Sequence, residues 1–230
     1  MSADIDLYEK AAGTYDRLQM LRPDYSRAKT IFLDLAIKYL KGKKDISLVD
    51  FCSGTGADTK LIADHLEIGN AMLLDINEEF LEIAKRSNIQ AKVVTKTGDV
   101  LSHNYLPSAD AVISMFAYHH VSDDRKALYV QKAKDALKPG GILILGEIYM
   151  PDKKTTLDYY KQLYASIPQK SEELESFLMQ TARSEDFEYK VSRVFAENQF
   201  AAGGFTLLES RKVWPKDGSD TGTFIEIWRS

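Results

Sequence analysis

The sequence predicts a doubly wound α/β protein with a mostly parallel, seven-stranded sheet, an antiparallel C-terminal strand pair and a helical lid insert. Five short apolar segments alternate with helical patterns, as in a parallel sheet covered by helices on both faces. The last two strand-like segments are joined by a link too short for a helical crossover, so they should pair antiparallel. Of the 230 residues, 44% are hydrophobic, which suits a single domain over 1–230.

The predicted elements follow the chain in four stretches. Apolar residues at helical spacing predict helices in 1–42, ending at Gly42. The stretch 43–150 alternates predicted strands at 46–51, 71–75, 91–95, 109–115 and 142–147 with predicted helices at 58–66, 77–87 and 123–137. The stretch 151–200 reads as helices and is the expected lid. The stretch 201–230 holds the strand pair, at 205–213 and 223–228.

Charge and cysteine content narrow the class of protein. The net charge is −4, from 34 acidic and 30 basic residues, and no long basic run appears, so dedicated nucleic-acid binding is disfavoured. Cys52 is the one cysteine, which excludes a disulfide framework and a cysteine-based zinc site. The chain lacks a signal-like N-terminus and any apolar run of membrane-spanning length, so we expect a cytoplasmic protein with no membrane partner.

A glycine loop follows the first predicted strand. Asp50 ends the apolar run, Gly54 and Gly56 come next, and a helical pattern begins near Asp58. Glycine permits positive φ and lets a ligand approach the main chain, while the helix start offers free N–H groups. This order predicts a nucleotide-type cofactor site. A nicotinamide dinucleotide is the weaker alternative, because the third glycine of its Gly-x-Gly-x-x-Gly pattern is replaced by Thr59.

Five motifs in order resemble those of the class I (Rossmann-like) S-adenosylmethionine-dependent methyltransferases, over about residues 15–228. They are the loop Asp50-Phe51-Cys52-Ser53-Gly54-Thr55-Gly56, the strand-ending Asp75, the pair Gly98-Asp99, the segment from Asp110 to His120, and the turn Leu137-Lys138-Pro139-Gly140-Gly141. The loop departs from the family pattern at one place, since its first glycine is Cys52. A small side chain there either fits the turn or narrows the loop.

The resemblance implies an enzyme that transfers a methyl group from S-adenosylmethionine to an O, N or C atom of a small, partly apolar acceptor, leaving S-adenosylhomocysteine. Proximity and alignment supply most of the catalysis, with or without a base. Two alternatives stay open: a methyltransferase of RNA or protein, and a protein of this fold that binds the cofactor for another reaction or for regulation. The expected partner is a small molecule, and the expected state is a monomer or a homodimer.

The resemblance also implies which residues hold the cofactor. Ligands of open α/β sheets bind beyond the carboxyl ends of the strands. There, Asp75 is suited to both ribose hydroxyls, and Asp99 to the adenine amine beside the Val100 N–H. The predicted cofactor residues are Tyr15, Asp50, Cys52, Ser53, Gly54, Gly56, Asp75, Ile76, Asp99, Val100 and Met115.

Candidate catalytic and acceptor-binding residues lie at the same edge. His119 and His120 follow the fourth strand and Glu147 closes the fifth, although the histidines could pack or cap and Glu147 could form an ion pair. The predicted acceptor-binding residues are Tyr8, Tyr118, Tyr149 and Tyr160. No metal is expected, because the fourth strand ends in Ser114, Met115 and Phe116 instead of the acidic and amide ligands of metal-dependent relatives.

Overall fold

The computed structural model describes residues 17–183 and 188–230, so the predicted site residues Tyr8 and Tyr15 lie outside it. The helices are α1 (Pro23–Leu40), α2 (Ala57–Ala63), α3 (Glu78–Arg86), α4 (Lys126–Ala136), α5 (Lys153–Ser166), α6 (Glu172–Arg183) and α7 (Arg193–Ala202). The strands are β1 (Ile46–Phe51), β2 (Ile68–Asp75), β3 (Lys92–Thr97), β4 (Ala109–Met115), β5 (Leu137–Tyr149), β6 (Thr206–Trp214) and β7 (Gly222–Arg229). Short 3₁₀ turns lie at Tyr118–His120 and Asp123–Arg125.

The seven strands form one sheet in the order β3-β2-β1-β4-β5-β7-β6. Strands β1 to β5 pair in parallel, and β7 runs antiparallel to both β5 and β6. The predicted mostly parallel sheet with an antiparallel C-terminal pair is therefore confirmed. The direction of the chain's progress across the sheet reverses between β1 and β4, and such a switch point opens a crevice at the carboxyl ends of the strands.

Three apolar clusters hold the layers together. On one face α1, α2 and α3 pack against the sheet through residues such as Phe32, Ile62 and Leu81. On the other face α4 and α7 pack through Tyr129 and Phe200. The third cluster joins α5 and α6 to the end of β5, at Ile148 and Met150. Within the predicted insert, α5 and α6 thus cover the carboxyl edge of the sheet, whereas α7 belongs to the layer beside α4.

The predicted turn before the fifth strand is a bulge inside a longer strand. Ala109 of β4 pairs with Leu137 and Ala111 pairs with Ile142, so two steps along β4 match five along β5. The extra residues loop out around Gly140, whose φ is +74°. Glycine adopts this conformation without the penalty that a Cβ brings.

The predicted start of the helix after β2 is confirmed at Asn77. Its side chain accepts hydrogen bonds from the N–H groups of Glu79 (2.9 Å) and Phe80 (3.2 Å), and Glu78 and Glu79 add negative charge to the first turn of α3. This cap fixes the backbone just after Asp75.

Across residues 17–183 and 188–230, none of the helices combines the length and apolar character that crossing a membrane requires.

Candidate cofactor and active site

The loop after β1 turns sharply back towards β2. Cys52, Gly54 and Gly56 all have positive φ, at 53°, 52° and 73°. The Ser53 N–H donates to the Leu74 carbonyl at 2.9 Å, which ties the loop to the neighbouring strand. A Cβ on Gly54 would meet nothing within 4 Å, whereas one on Gly56 would lie 2.9 Å from Leu73 Cδ2. Gly54 therefore borders open space that a ligand can fill, and Gly56 permits close packing.

Cys52 holds a conformation that costs an L-residue about 1–2 kcal/mol. We expect Cys52→Gly to unfold in urea within about 1 kcal/mol of the natural protein, because strain relief offsets the lost packing and the added chain entropy. Cys52→Val should lose about 2 kcal/mol or more, since a β-branched side chain is poorly tolerated at positive φ. A glycine variant less stable than the valine variant would contradict this account of the loop.

Asp75 closes β2 and holds the loop from the other side. Its carboxylate accepts the Gly54 N–H at 2.7 Å and the Asn77 N–H at 2.9 Å, one on each oxygen. Burial raises the pKa of Asp75, and these N–H groups and the charge of His120 partly offset the rise. A carboxylate has about four acceptor positions, and the Ile76 N–H also hydrogen-bonds to this one. Asp75 therefore keeps acceptor capacity for a ligand hydroxyl group.

Asp50 faces the start of α2. The Thr59 hydroxyl donates to its carboxylate at 2.6 Å, and the side chain is buried. Burial, reinforced by the negative charge of Asp58, raises the pKa of Asp50 to about 8. Asp58 itself forms an ion pair with Lys29 of α1 at 2.5 Å. Asp50 thus joins the loop to α2, and direct contact with a cofactor stays a prediction.

Asp99 and Ile76 lie at the outer rim of the loop. The Asp99 carboxylate accepts the Leu101 N–H at 2.8 Å and pairs with Arg125 at 3.2 Å, where both side chains are partly exposed. Ile76 is 57% exposed and Val100 is buried. The adenine contacts predicted for Asp99 and Val100 stay a prediction.

The residues at the end of β4 connect the region of the glycine loop with a cavity above the sheet. Phe116 has a φ of +60°, which is uncommon for a bulky residue, and its N–H donates to the Gly146 carbonyl of β5 at 2.7 Å. Met115 packs so closely on Gly146 that a Cβ there would lie 2.6 Å from the Met115 sulfur. The strained end of β4 therefore directs Phe116 into the space above the sheet, next to Tyr25.

The 3₁₀ turn after β4 presents both histidines and is held from below by a buried amine. Lys126 is fully buried, donates to the carbonyls of Tyr118 (3.4 Å) and Val121, and lies 4.9 Å from the centre of the Tyr118 ring. It also pairs with Asp123 at 3.3 Å. Burial lowers the pKa of Lys126, and Asp123 partly restores it. Lys126 thereby fixes the backbone that positions His119 and His120.

His119 lies between two glutamates. Its Nδ1 forms a short hydrogen bond with Glu147 Oε1, and its Nε2 lies 3.6 Å from Glu188 Oε2. Burial lowers the pKa of His119 well below its ordinary value and raises the pKa of Glu147 to about 7. Glu188 also pairs with the buried Lys190. For Glu188, burial opposes the charged form, but the positive charge of Lys190 helps to outweigh burial, and the pKa of Glu188 is lowered.

His119 and Glu188 line a cavity between the end of β4 and helices α5 and α6. Together with its opening to solvent this space measures about 370 Å³. Its walls combine aromatic and apolar side chains with a polar end. The lining residues are Gln19, Arg22, Tyr25, Phe116, His119, His120, Ile148, Tyr160, Phe177, Thr181 and Glu188.

The predicted acceptor-binding tyrosines that the structure describes lie in different places: one lines the cavity and two are in the core. Tyr160 of α5 lines the cavity. Tyr118 lies in the core against Tyr129 and Phe200, at ring distances of 5.6 Å and 5.4 Å, and its hydroxyl has no hydrogen-bond partner among the described residues. Tyr149 is also buried and donates to Glu226 at 2.8 Å. Neither Tyr118 nor Tyr149 lines the cavity, so acceptor contact by either is not supported by this arrangement.

Several cavity residues escape sequence reasoning because no local pattern marks them. Tyr25, Phe177 and Thr181 lie on helices whose periodicity predicts packing, not a site. Glu188 lies in an irregular segment after α6. Its position is set by the Tyr189 N–H, which donates to the His119 carbonyl at 2.7 Å. The charged pattern Glu188-Tyr189-Lys190 within an otherwise helical insert is the one signal that the sequence offers.

Comparison with known proteins agrees with this site. A family model described as a methyltransferase domain matches residues 48–141, which include the glycine loop, Asp75 and both histidines. An uncharacterized methyltransferase of Bacillus mycoides is 27% identical over 150 residues, covering 64% of this chain and 68% of the relative.

Solved structures share the fold. An S-adenosylmethionine-dependent methyltransferase from Clostridium acetobutylicum superposes with a TM-score of 0.68 at 15% identity, over 97% of this chain and 98% of that chain. The 1,6-didemethyltoxoflavin-N1-methyltransferase of Burkholderia thailandensis, solved with 1,6-didemethyltoxoflavin and S-adenosylhomocysteine, gives a TM-score of 0.60 at 14% identity, over 88% and 77%.

The sheet order and the glycine-loop site define a class I methyltransferase fold. The methyltransferase-domain model covers the strands that carry this site, and the relatives named above, which the chain resembles, are methyltransferases.

Proposed function

We propose that the protein transfers a methyl group from S-adenosylmethionine to a small, partly apolar acceptor bound in the cavity beside His119. The cavity itself carries the proposal. It begins at the end of β4, where Phe116 and His120 lie, and the charge of His120 acts on Asp75 in the cofactor loop. A ligand held by the loop and one held in the cavity would therefore be neighbours.

The loop residues fit the cofactor. Asp75 accepts three backbone N–H groups and keeps acceptor capacity that suits a ribose hydroxyl. Gly54 leaves open space where a Cβ would otherwise stand, so the main chain can approach the methionyl part. Bound there, the cofactor supplies an electrophilic methyl group on a sulfonium. The remaining predicted contacts, from Ser53, Ile76, Asp99, Val100 and Met115, belong to this proposal.

The protein's own contribution is alignment and enclosure. Tyr160 of α5 and Phe177 of α6 close the cavity above the sheet, and Ile148 forms part of its floor. Holding acceptor and methyl group in line supplies a large part of the rate enhancement of a direct displacement. Excluding water strengthens the polar contacts at the end that carries His119 and Glu188. This enclosed shape favours a small molecule over RNA or a folded protein.

The cofactor can be tested by thermal unfolding. We expect S-adenosylhomocysteine at about a hundredfold its dissociation constant to stabilise the protein by about 2.7 kcal/mol. For a chain of this length that corresponds to a rise of roughly 5–10 °C in Tm. S-adenosylmethionine should act similarly, and NAD should leave Tm unchanged. A shift with NAD and none with either sulfur compound would overturn the proposal.

The acceptor needs a separate screen. The full chain is incubated with S-adenosylmethionine and pools of small hydroxylated, amino and aromatic compounds, and mass spectrometry detects products heavier by one methyl group. Formation of S-adenosylhomocysteine only with RNA or a protein would identify a macromolecular methyltransferase. Cofactor binding with no turnover on any pool would instead indicate a regulatory role.

A further inference from the structure

Three potential metal ligands converge at the polar end of the cavity. His119 and His120 come from the 3₁₀ turn after β4, and Glu188 comes from the segment that follows α6. One ligand atom from each lies within 4.8 Å of the others. Two imidazoles and one carboxylate are a donor set that divalent transition metals favour, and it leaves coordination positions free.

The orientation of His119 suits a ligand. Glu147 accepts the backbone N–H groups of His119 (3.0 Å) and Ile148 (2.6 Å), one on each oxygen, so both of its oxygens are positioned as acceptors at this site. The His119 Nδ1 is therefore the donor in its bond to Glu147, which leaves the Nε2 lone pair directed at Glu188. A carboxylate that fixes a histidine in this way is the usual outer support of a metal-bound imidazole.

The remaining pair of electron donors, His119 Nε2 and the Glu188 carboxylate, is suited to binding a cation. The Nε2 lone pair and the Glu188 carboxylate are both electron donors, and 3.6 Å separates them. In the structure the positive charge next to Glu188 comes from Lys190, whose ammonium lies 5.5 Å from the centre of the Tyr160 ring. This ammonium neutralises Glu188.

We propose that His119, His120 and Glu188 bind one divalent transition metal ion, such as Zn²⁺, with its open positions facing the cavity. Metal binding replaces the Lys190 ammonium at Glu188. The metal site itself does not depend on the proposed methyl transfer. Its consequence for the reaction does rest on that proposal: the acceptor binds the metal through a hydroxyl group. On the metal, that hydroxyl releases its proton to solvent more readily. The resulting oxyanion forms the new C–O bond as the S–CH₃ bond breaks, giving a methyl ether and a neutral thioether.

Metal binding can be measured without any acceptor. The full chain is freed of metal with a chelator and titrated calorimetrically with Zn²⁺ alone. We expect one ion per chain, with His120→Ala and Glu188→Gln weakening the affinity about a hundredfold or more. Glu147→Gln should cost about 10–100-fold, as loss of an outer-shell carboxylate does. Lys190→Met should instead tighten binding, because it removes the competing cation.

His65→Ala is the matched control, since His65 is an exposed histidine next to α2 whose ring contacts the Leu61 carbonyl. It should leave Zn²⁺ affinity unchanged. Circular dichroism of every variant separates lost binding from lost fold, and His120→Asn serves if the alanine variant unfolds. The proposal is overturned if the natural chain binds no stoichiometric Zn²⁺, or if His120→Ala and Glu188→Gln bind it as well as His65→Ala does.

Parallel titration with S-adenosylhomocysteine keeps the two proposals apart. Normal binding of this compound without Zn²⁺ binding would reject the metal site and leave the methyltransferase proposal standing. Zn²⁺ binding that needs His120 and Glu188, without any binding of S-adenosylhomocysteine, would uphold the metal site and reject the assigned cofactor.

Discussion

Replacing Asp75 by alanine is expected to weaken the binding of S-adenosylhomocysteine about a hundredfold. A hydrogen bond from a ribose hydroxyl to a carboxylate is worth about 1.5–3 kcal/mol, and every 1.4 kcal/mol is about a tenfold change in affinity. The same substitution removes the acceptor of the Gly54 and Asn77 N–H groups, so the loop itself loses support. Isothermal titration calorimetry measures the affinity directly.

Two further variants separate these contributions. Asp75→Asn keeps one acceptor oxygen and should lose less affinity than the alanine variant. Asp64→Ala removes an exposed carboxylate, paired with Lys60 just after α2, and should bind normally. If Asp75→Ala binds S-adenosylhomocysteine as tightly as Asp64→Ala does, the ribose assignment is wrong.

Asp50→Asn should change how stability depends on pH. The pKa of Asp50 is about 8 in the folded protein against an ordinary value of 3.8, so the folded state keeps a proton that the unfolded chain releases. The stability that Asp50 contributes is present below about pH 4 and is lost as pH rises to about 8. Asparagine does not ionise and still offers an oxygen to the Thr59 hydroxyl. Its advantage over aspartate should therefore grow with pH, reaching a few kcal/mol at pH 9.

Urea unfolding at pH 5, 7 and 9 tests this expectation. The difference in unfolding free energy between Asp50→Asn and the natural protein should rise across the series. Asp64→Asn, at an exposed position, should show no comparable rise. A difference for Asp50→Asn that is equal at all three pH values would mean that burial does not hold Asp50 in its protonated form.

Most of the fold could be predicted because its signals are local. Apolar strands, the cap at Asn77 and the short link before β7 each fix a neighbouring piece of backbone, and together they determine the sheet. The bulge at 138–141 could not be predicted, because Pro139 and the two glycines predict a turn whether or not the chain pairs with β4 on both sides of it. Its continuation into one strand depends on contacts with Ala109, which the sequence pattern does not reveal.

The residues of the site also fall into those that the sequence predicts and those that it does not. The glycine loop and Asp75 lie within one strand-loop-strand unit, so sequence alone predicts that they meet. The partnership of His119 with Glu188 joins residues far apart in the chain, and no periodic pattern brings them together. The sequence predicts a site without metal because the strand end supplies only Ser114, Met115 and Phe116; that prediction is not tested, and the proposed metal site draws on Glu188 of the insert.

The positions of Tyr149 and Ile148 show that strand alternation determines which residues of β5 face the cavity. Side chains of successive residues in a strand point to opposite faces. Glu147 and Tyr149 therefore share the face covered by α4 and α7, and Ile148 points to the side of α5 and α6. Ile148, not Tyr149, lines the cavity. Proximity to the end of a strand identifies the edge of the site, but alternation decides which residues face it.

The environment of Cys52 has a chemical consequence for an enzyme that handles an alkylating agent. Burial, together with the negative charges of Asp75, Asp50 and Asp99, raises the pKa of the Cys52 thiol well above its ordinary value. The nucleophilic form of cysteine is the thiolate, which is therefore scarce at neutral pH. With a reactive methyl donor bound at the same loop, an ionised Cys52 would be a competing acceptor. Keeping it protonated spares the enzyme from methylating itself.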